Sequence, residues 1–237
     1  MALPTIAVPE YTLNLPSTGK ELKYRPFLVK EEKILLIAME SEDDKHITNA
    51  IKNIITNCVF TKLNVDEMPM FDLEYIFLRI RAKSVGETST ISVLAEDDGE
   101  TYVSIDVPLE EIEVDFPQDH KSDIKLTDTI GVTFSYPTYE TLDKMDKLEE
   151  DSGIERVFAL MAACVNQIYE GETIHERVDF SDKELEDFLN SLSPAQFADV
   201  QKFFDTMPKL TYEAKFKNPK TKKNNKVTLE GLQSFFA

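Results

Sequence analysis

The spacing of apolar residues changes along the chain, and this change constrains the fold more than any other feature of the sequence. Apolar residues alternate over residues 91–95 and 103–107, which predicts a β-hairpin around a turn at 97–99. They recur every three or four residues over 47–58 and again from about Asp72, which predicts two amphipathic helices. Because strand and helix patterns come in separate blocks rather than in βαβ alternation, the sequence predicts an α+β fold.

The N-terminal part, residues 1–137, is predicted to be an α+β domain. We expect it to combine mixed strands and β-hairpins with two packed helices. Residues 11–15 and 21–29 flank a Pro-Ser-Thr-Gly turn, which indicates paired strands. Residues 33–39 form a short apolar run that we interpret as a further strand.

The C-terminal part, residues 138–237, is predicted to be a mainly helical domain that ends in a β-hairpin at 209–229 and a short helix. Apolar spacing over residues 154–168 indicates one helix. Two further helices are expected to begin at Ser181 and Ser193. Each of these serines is followed three residues later by Glu or Gln, which is the pattern of a capping box.

Composition and charge limit the classes of protein to which the chain can belong. With 237 residues and 42% hydrophobic content, the chain can bury a sizeable core. It holds no apolar run of membrane-spanning length, and its N-terminus lacks the basic and apolar regions of a secretory signal, so we expect a soluble protein that is not exported. Two cysteines are too few for a disulfide framework, which favours a reducing cytoplasm. The net charge of −18 disfavours binding to nucleic acid.

The end of the chain is basic, in contrast to the acidic chain as a whole, because seven lysines and only two glutamates follow Pro208. Five lysines around the predicted hairpin turn are candidate partner-binding residues: Lys217, Lys220, Lys222, Lys223 and Lys226. Three interpretations of this lysine cluster remain open. It is a solvated loop tip or an electrostatic arm for an acidic neighbouring protein. Binding to nucleic acid is a third, less favoured interpretation, because the turn itself has no stacking aromatic residue.

Leu232, Phe235 and Phe236 are the second set of candidate partner-binding residues. They stand at relative positions 0, 3 and 4, the spacing of a one-turn helical apolar face. Such a face can dock on the protein's own helices or anchor a partner. The sequence leaves both alternatives open.

The sequence predicts no catalytic, cofactor-binding or metal-binding residue. It contains no GxSxG, HExxH, GxGxxG or phosphate-binding glycine motif, and its three histidines are isolated from one another. We therefore expect a non-enzymatic protein without a cofactor. Two alternatives stay open: an accessory hydrolase that uses the carboxylates of residues 97–100, and an acidic DNA-mimic or adaptor protein.

Three blocks of the sequence resemble a known family in their order and spacing. They are residues 33–40 (KILLIAME), followed by a predicted helix that ends near Cys58, residues 71–86 (FDLEYIFLRIRAKSVG), and residues 227–236 (VTLEGLQSFF). Together the blocks span most of the chain. On these residues the chain resembles the baseplate hub assembly proteins of T-even-type, contractile-tailed phages.

This resemblance implies a non-enzymatic protein of the phage tail baseplate hub, acting in hub assembly as a chaperone-like factor or a resident structural adaptor. It implies baseplate hub and tail proteins as partners, and locations in the host cytoplasm during assembly and in the tail baseplate of the virion. Many relatives carry paired cysteines at the hairpin turn, where this chain has residues 218–223 (NPKTKK). Zinc is therefore not implied for this chain, because its turn has no soft ligands.

Overall fold

The computed structural model describes residues 6–41, 43–145 and 153–235. Contacts divide the chain into two compact units. The first unit comprises Met1–Val65, Phe71–Asp115 and Lys209–Ala237, and the second comprises Asp66–Met70 and Phe116–Pro208. Both units contain helices and small antiparallel sheets, so the predicted α+β fold class is confirmed.

The described residues form eleven strands and seven helices. The strands are β1 (Tyr11–Asn14), β2 (Glu21–Tyr24), β3 (Thr88–Leu94), β4 (Tyr102–Pro108), β5 (Glu113–Asp115), β6 (Asp123–Lys125), β7 (Ile130–Phe134), β8 (Val165–Glu170), β9 (Thr173–Glu176), β10 (Lys209–Lys217) and β11 (Asn224–Glu230). The helices are α1 (Val29–Glu40), α2 (Asp44–Cys58), α3 (Met70–Ser84), α4 (Tyr139–Met145), α5 (Gly153–Ala163), α6 (Asp182–Asn190) and α7 (Pro194–Asp205). A 3₁₀ turn over Leu232–Phe235 follows β11.

Helix α3 provides much of the core of the first unit. Ile76, Leu78 and Ile80 are fully buried although they project from different sides of the helix, which explains why its sequence is apolar nearly all round. The strands of this unit form three antiparallel groups: β1 with β2, β3 with β4, and the order β11-β10-β5. Buried Asp72 accepts hydrogen bonds from the backbone N–H and the hydroxyl of Ser17, which tie the β1–β2 turn to the start of α3.

The N-terminal region differs from the expectation at one element. Residues 33–39, predicted as a strand, lie in helix α1, so the described part of this region has three helices rather than two. The prediction is wrong because a short apolar run has no periodicity that separates a strand from a helix. The start of α1 is fixed by Glu31, whose carboxylate accepts a hydrogen bond from Leu28 N at 2.8 Å and pairs with Arg25 at 3.0 Å.

The described residues of the second unit combine a sheet of order β6-β7-β8-β9 with four helices. Helices α6 and α7 begin as predicted, because Ser181 and Ser193 each accept a hydrogen bond from the backbone N–H three residues later. Its core is rich in aromatic rings. Phe134 and Phe203 stack with their centroids 5.2 Å apart, and Phe204 meets Phe203 edge-on at 4.9 Å.

Strands β8 and β9 are elements that the sequence did not indicate. The helix predicted over residues 154–168 ends at Ala163, and both Val165 and Ile168 lie in β8. These two side chains are buried although they are three residues apart, because the pairing of β8 with β7 shifts register along the strand. The register shift therefore gives this strand two buried side chains at the three-residue spacing that is typical of a helix.

The two units are discontinuous along the chain, and the division between residues 137 and 138 stays a prediction. The hairpin of β10 and β11 belongs to the first unit, because Leu210 of β10 pairs with Val114 of β5. Residues 116–137 belong to the second unit, where β7 pairs with β8. The first unit therefore combines strands from both ends of the chain.

Candidate interaction site at the C-terminal hairpin

Strands β10 and β11 form an antiparallel hairpin whose two faces differ in chemistry. Ala214 and Leu229 are buried on one face. On the other face Lys215 lies opposite Lys226, and both are exposed. Because side chains alternate between the faces of a strand, burial of the apolar residues fixes the direction in which the lysines point. An open depression beside the strands is lined by Lys215, Phe216, Lys217, Asn224, Asn225 and Lys226.

The lysine turn, residues 218–223, is closed by its backbone and by Asn218. Asn218 N donates to Lys223 O, and Lys222 N donates to Asn218 O, each at 2.9 Å. The side-chain oxygen of fully buried Asn218 accepts a hydrogen bond from Lys220 N at 2.8 Å, which makes an Asx turn. Lys222 adopts a φ of +64°, in the left-handed region.

Asp97, in the loop between β3 and β4, holds the lysine turn in place. Its carboxylate accepts hydrogen bonds from the Thr221 hydroxyl, from Asn218 Nδ2 at 2.9 Å and from Asn225 Nδ2 at 2.8 Å. In return, Asp97 N donates to Asn225 Oδ1 at 3.2 Å. The hydrogen bond from Thr221, followed by the one from Asn218, holds the pKa of Asp97 below its usual range. The turn is thus bonded to its own unit on several sides.

Two of the five candidate lysines form ion pairs within the first unit. The Lys220 ammonium lies 2.9 Å from the Glu100 carboxylate and 3.8 Å from that of Asp98. Lys226 pairs with Glu213 on the neighbouring strand. The pairs of Lys220 with Glu100 and of Lys226 with Glu213 are exposed, and such pairs contribute at most about 1 kcal/mol each.

The other three candidate lysines are Lys217, Lys222 and Lys223. All three are exposed, and none forms an ion pair with any residue that the structure describes. They project from the lysine turn and the adjoining end of β10. The structure therefore brings three unneutralised positive charges together at one fixed end of the hairpin.

The C-terminal 3₁₀ turn lies within the first unit. Leu232 and Phe235 are 7% and 0% exposed, and Ser89 Oγ donates to Phe235 O at 2.8 Å. Burial raises the pKa of Glu74 to about 7, although its hydrogen bond from the Leu232 backbone acts in the opposite direction. This geometry corresponds to docking on the protein's own unit, and it leaves Leu232 and Phe235 little surface for a partner. Phe236 lies outside the described residues.

Sequence reasoning did not find the residues that hold the lysine turn. Asn218 followed by proline predicts a turn. No local sequence pattern connects that turn to Asp97, from which Asn218 is separated by 121 positions. Opposite charge was the available signal, because the loop at residues 97–100 is acidic and the turn is basic.

Neither Asp97 nor Asp98 has the raised pKa expected of the general acid in a catalytic pair of carboxyl groups. The hydroxyl and the backbone N–H of Thr101 hold the pKa of Asp98 below its usual range, and the pKa of Asp97 is also lowered. A general acid in such a pair needs a raised pKa. Over residues 6–41, 43–145 and 153–235 there is no cluster of three or more metal-ligating side chains. None of the described helices has the length and apolar character needed to cross a bilayer.

Comparison with known families assigns the chain to a class of phage tail proteins. A sequence model for the family described as T4 bacteriophage base plate protein matches residues 8–237. The chain belongs to this family, and its partners are accordingly other phage baseplate proteins. This assignment confirms the resemblance to T4-type baseplate proteins. Comparisons with curated proteins and with solved structures gave no match.

Proposed function

We propose that this baseplate protein acts in assembly of the baseplate hub, as a chaperone-like factor or a resident adaptor, without enzymatic activity. In this proposal it binds hub and tail proteins in the host cytoplasm during assembly, and it is carried into the tail baseplate of the virion if it acts as a resident. Family membership over residues 8–237 supports a role among baseplate proteins. The C-terminal hairpin supports a role in contact with them.

The main supporting observation is that Lys217, at the end of β10, and Lys222 and Lys223, on the adjoining turn, are exposed on an otherwise acidic chain. A chain with a net charge of −18 repels acidic proteins over most of its surface. The cluster of three lysines makes the surface locally positive at this end of the hairpin. Charges held on fixed backbone steer association and set orientation more than they determine affinity. The partner surface that fits this turn is therefore acidic.

The remaining candidate residues have supporting roles in this proposal. Lys220 and Lys226 already have carboxylate partners, so they contribute less to the charge seen by a partner. Leu232 and Phe235 hold the hairpin in place from inside the first unit.

The test compares two variants that carry the same change in net charge. In the first, Lys217, Lys222 and Lys223 are replaced by Glu. In the control, three exposed lysines that are spread along the chain are replaced by Glu: Lys62, Lys121 and Lys183. Association with purified baseplate hub complex is followed by surface plasmon resonance. We expect the hairpin variant to associate about tenfold more slowly than the control at low salt. The difference should shrink as salt screens the charges.

Equal association rates for the two triple variants would remove the lysine turn from the mechanism. Mass spectrometry of purified virions separates the two proposed roles, because a resident adaptor remains in the particle and a chaperone-like factor does not. Failure of both triple variants and the natural chain to bind any baseplate complex would contradict the proposed assembly role itself.

A further inference from the structure

Helix α1 exposes an apolar surface that no described residue covers. Val29, Leu36 and Ile37 are 78%, 55% and 58% exposed, and Met39 is also exposed. Single exposed apolar residues are common on soluble proteins, but several adjacent ones on one short helix mark a contact surface. The opposite side of α1, which includes Ala38, is buried within the first unit.

The exposed surface of α1 forms one stripe along the helix. Val29, Lys33, Leu36, Ile37 and Glu40 stand at relative positions 0, 4, 7, 8 and 11, which all lie on one helical face. Lys33 and Glu40 are exposed, and neither forms an ion pair among the described residues. The stripe therefore carries an apolar centre with a positive charge on one side and a negative charge on the other.

This arrangement is complementary to itself when two copies of the helix run in opposite directions. A two-fold axis between Leu36 and Ile37 places those residues of both copies in one central layer. The same axis places Lys33 of each copy at the level of Glu40 of the other, because both lie equally far from the centre. A parallel arrangement would instead oppose Lys33 to Lys33 and Glu40 to Glu40. A surface that matches itself about a two-fold axis is the property of an isologous dimer contact.

We propose that α1 pairs in antiparallel orientation with α1 of a second copy of this chain. The apolar layer of Leu36 and Ile37 supplies the contact, and the two Lys33–Glu40 pairs select the orientation. One helical face is a small interface, so this association belongs to the weak class with micromolar dissociation constants. This dimer is independent of the lysine turn and of the proposed assembly role.

The test measures the dissociation constant of the full chain by sedimentation equilibrium at about 0.15 M salt, where charges more than about 8 Å apart are largely screened. The double variant Leu36→Glu/Ile37→Glu should be monomeric. Lys33→Glu and Glu40→Lys should each weaken the dimer about tenfold, and the double variant Lys33→Glu/Glu40→Lys should return to within about threefold of the natural chain, because the pairs are restored with reversed sign. Lys62→Glu, an exposed change outside α1, is the control.

Four results would overturn the proposal. The first is a natural chain that stays monomeric at concentrations well above micromolar. The second is a dimer that survives Leu36→Glu/Ile37→Glu in variants whose circular dichroism shows an intact fold. The third is a dimer strengthened by Glu40→Lys and weakened by Lys33→Glu, since that pattern shows that net charge rather than paired charge controls association. Binding of a different baseplate protein at α1, with no dimer, also counts against it.

Discussion

The two ends of strand β11 belong to one hairpin, yet opposite kinds of interaction hold them. At its start, Asn218 and Asn225 form a polar network with Asp97. At its end, Leu232 and Phe235 are buried among apolar side chains. The polar network holds a charged segment at the surface without burying its charges. Burial of an aromatic ring stabilises the folded state more, but it removes that residue from the surface. This difference explains why the lysine turn is accessible to a partner and the C-terminal turn is not.

The largest effect is expected at the apolar end. Phe235→Ala should lower the free energy of unfolding by about 3–5 kcal/mol, because it leaves a cavity at a fully buried site. Chemical denaturation measures this change. Phe60→Ala is the matched control, since Phe60 is 53% exposed in the same unit, and it should cost less than about 1 kcal/mol.

Deletion of residues 232–237 extends the same test to the whole C-terminal turn. We expect a large fall in melting temperature of the isolated protein. Unchanged stability together with loss of hub assembly would show that these residues anchor a partner instead, and the comparison between the two ends of β11 would fail.

The second effect concerns pH and the carboxyl group beneath the C-terminal turn. Burial raises the pKa of Glu74 to about 7 from an ordinary value of 4.5, so the folded state binds this proton more tightly than the unfolded state does. The resulting stability is present below about pH 4.5 and is lost as pH rises to about 7, a total of about 3 kcal/mol. Glu74→Gln should remove this dependence.

Thermal unfolding of the natural chain and of Glu74→Gln from pH 5 to pH 8 measures the effect. The variant should become progressively more stable than the natural chain as pH rises. A constant difference between the two across this range would show that Glu74 titrates normally and that the C-terminal turn does not cover it.

The third effect is expected at the polar end and should be smaller. Asn218→Ala removes a buried amide that bonds both Asp97 and the turn backbone, and it should lower the free energy of unfolding by about 1–3 kcal/mol. Asn224→Ala, an exposed asparagine on the same hairpin, is the control and should change stability little. Equal effects of the two substitutions would mean that the network around Asp97 does not hold the turn.

The smallest effect should be a gain in stability. Lys222 has a left-handed backbone at φ +64°, a conformation that costs an L-residue about 1 kcal/mol in steric strain, and Lys222→Gly should relieve that strain. Lys223→Gly removes the same charge from a neighbouring residue without a positive φ, and it should be destabilising by about 0.5–1 kcal/mol. A comparison of the melting temperatures of the two variants separates backbone strain from charge, and a loss of stability in both would argue against strain at Lys222.

Features that depend on local sequence could be predicted from the chain alone. The capping boxes at Ser181 and Ser193 formed as expected, because both partners of each box lie within four residues. The hairpin of β3 and β4 and that of β10 and β11 also formed, since turn residues and alternation fix their register locally. The lysine cluster could likewise be found from composition.

Features that depend on distant residues could be decided only by tertiary structure. The apolar run at 33–39 fits a helix or a strand equally well, and contacts outside the run select the helix. Val165 and Ile168 have helical spacing but lie in a strand, because pairing with β7 governs them. The state of the lysine turn depends on Asp97, which lies more than a hundred residues away. The physical reason is the same in each case. Local sequence determines which conformations a segment can adopt at low free-energy cost, and burial and hydrogen bonding to distant segments select one of them.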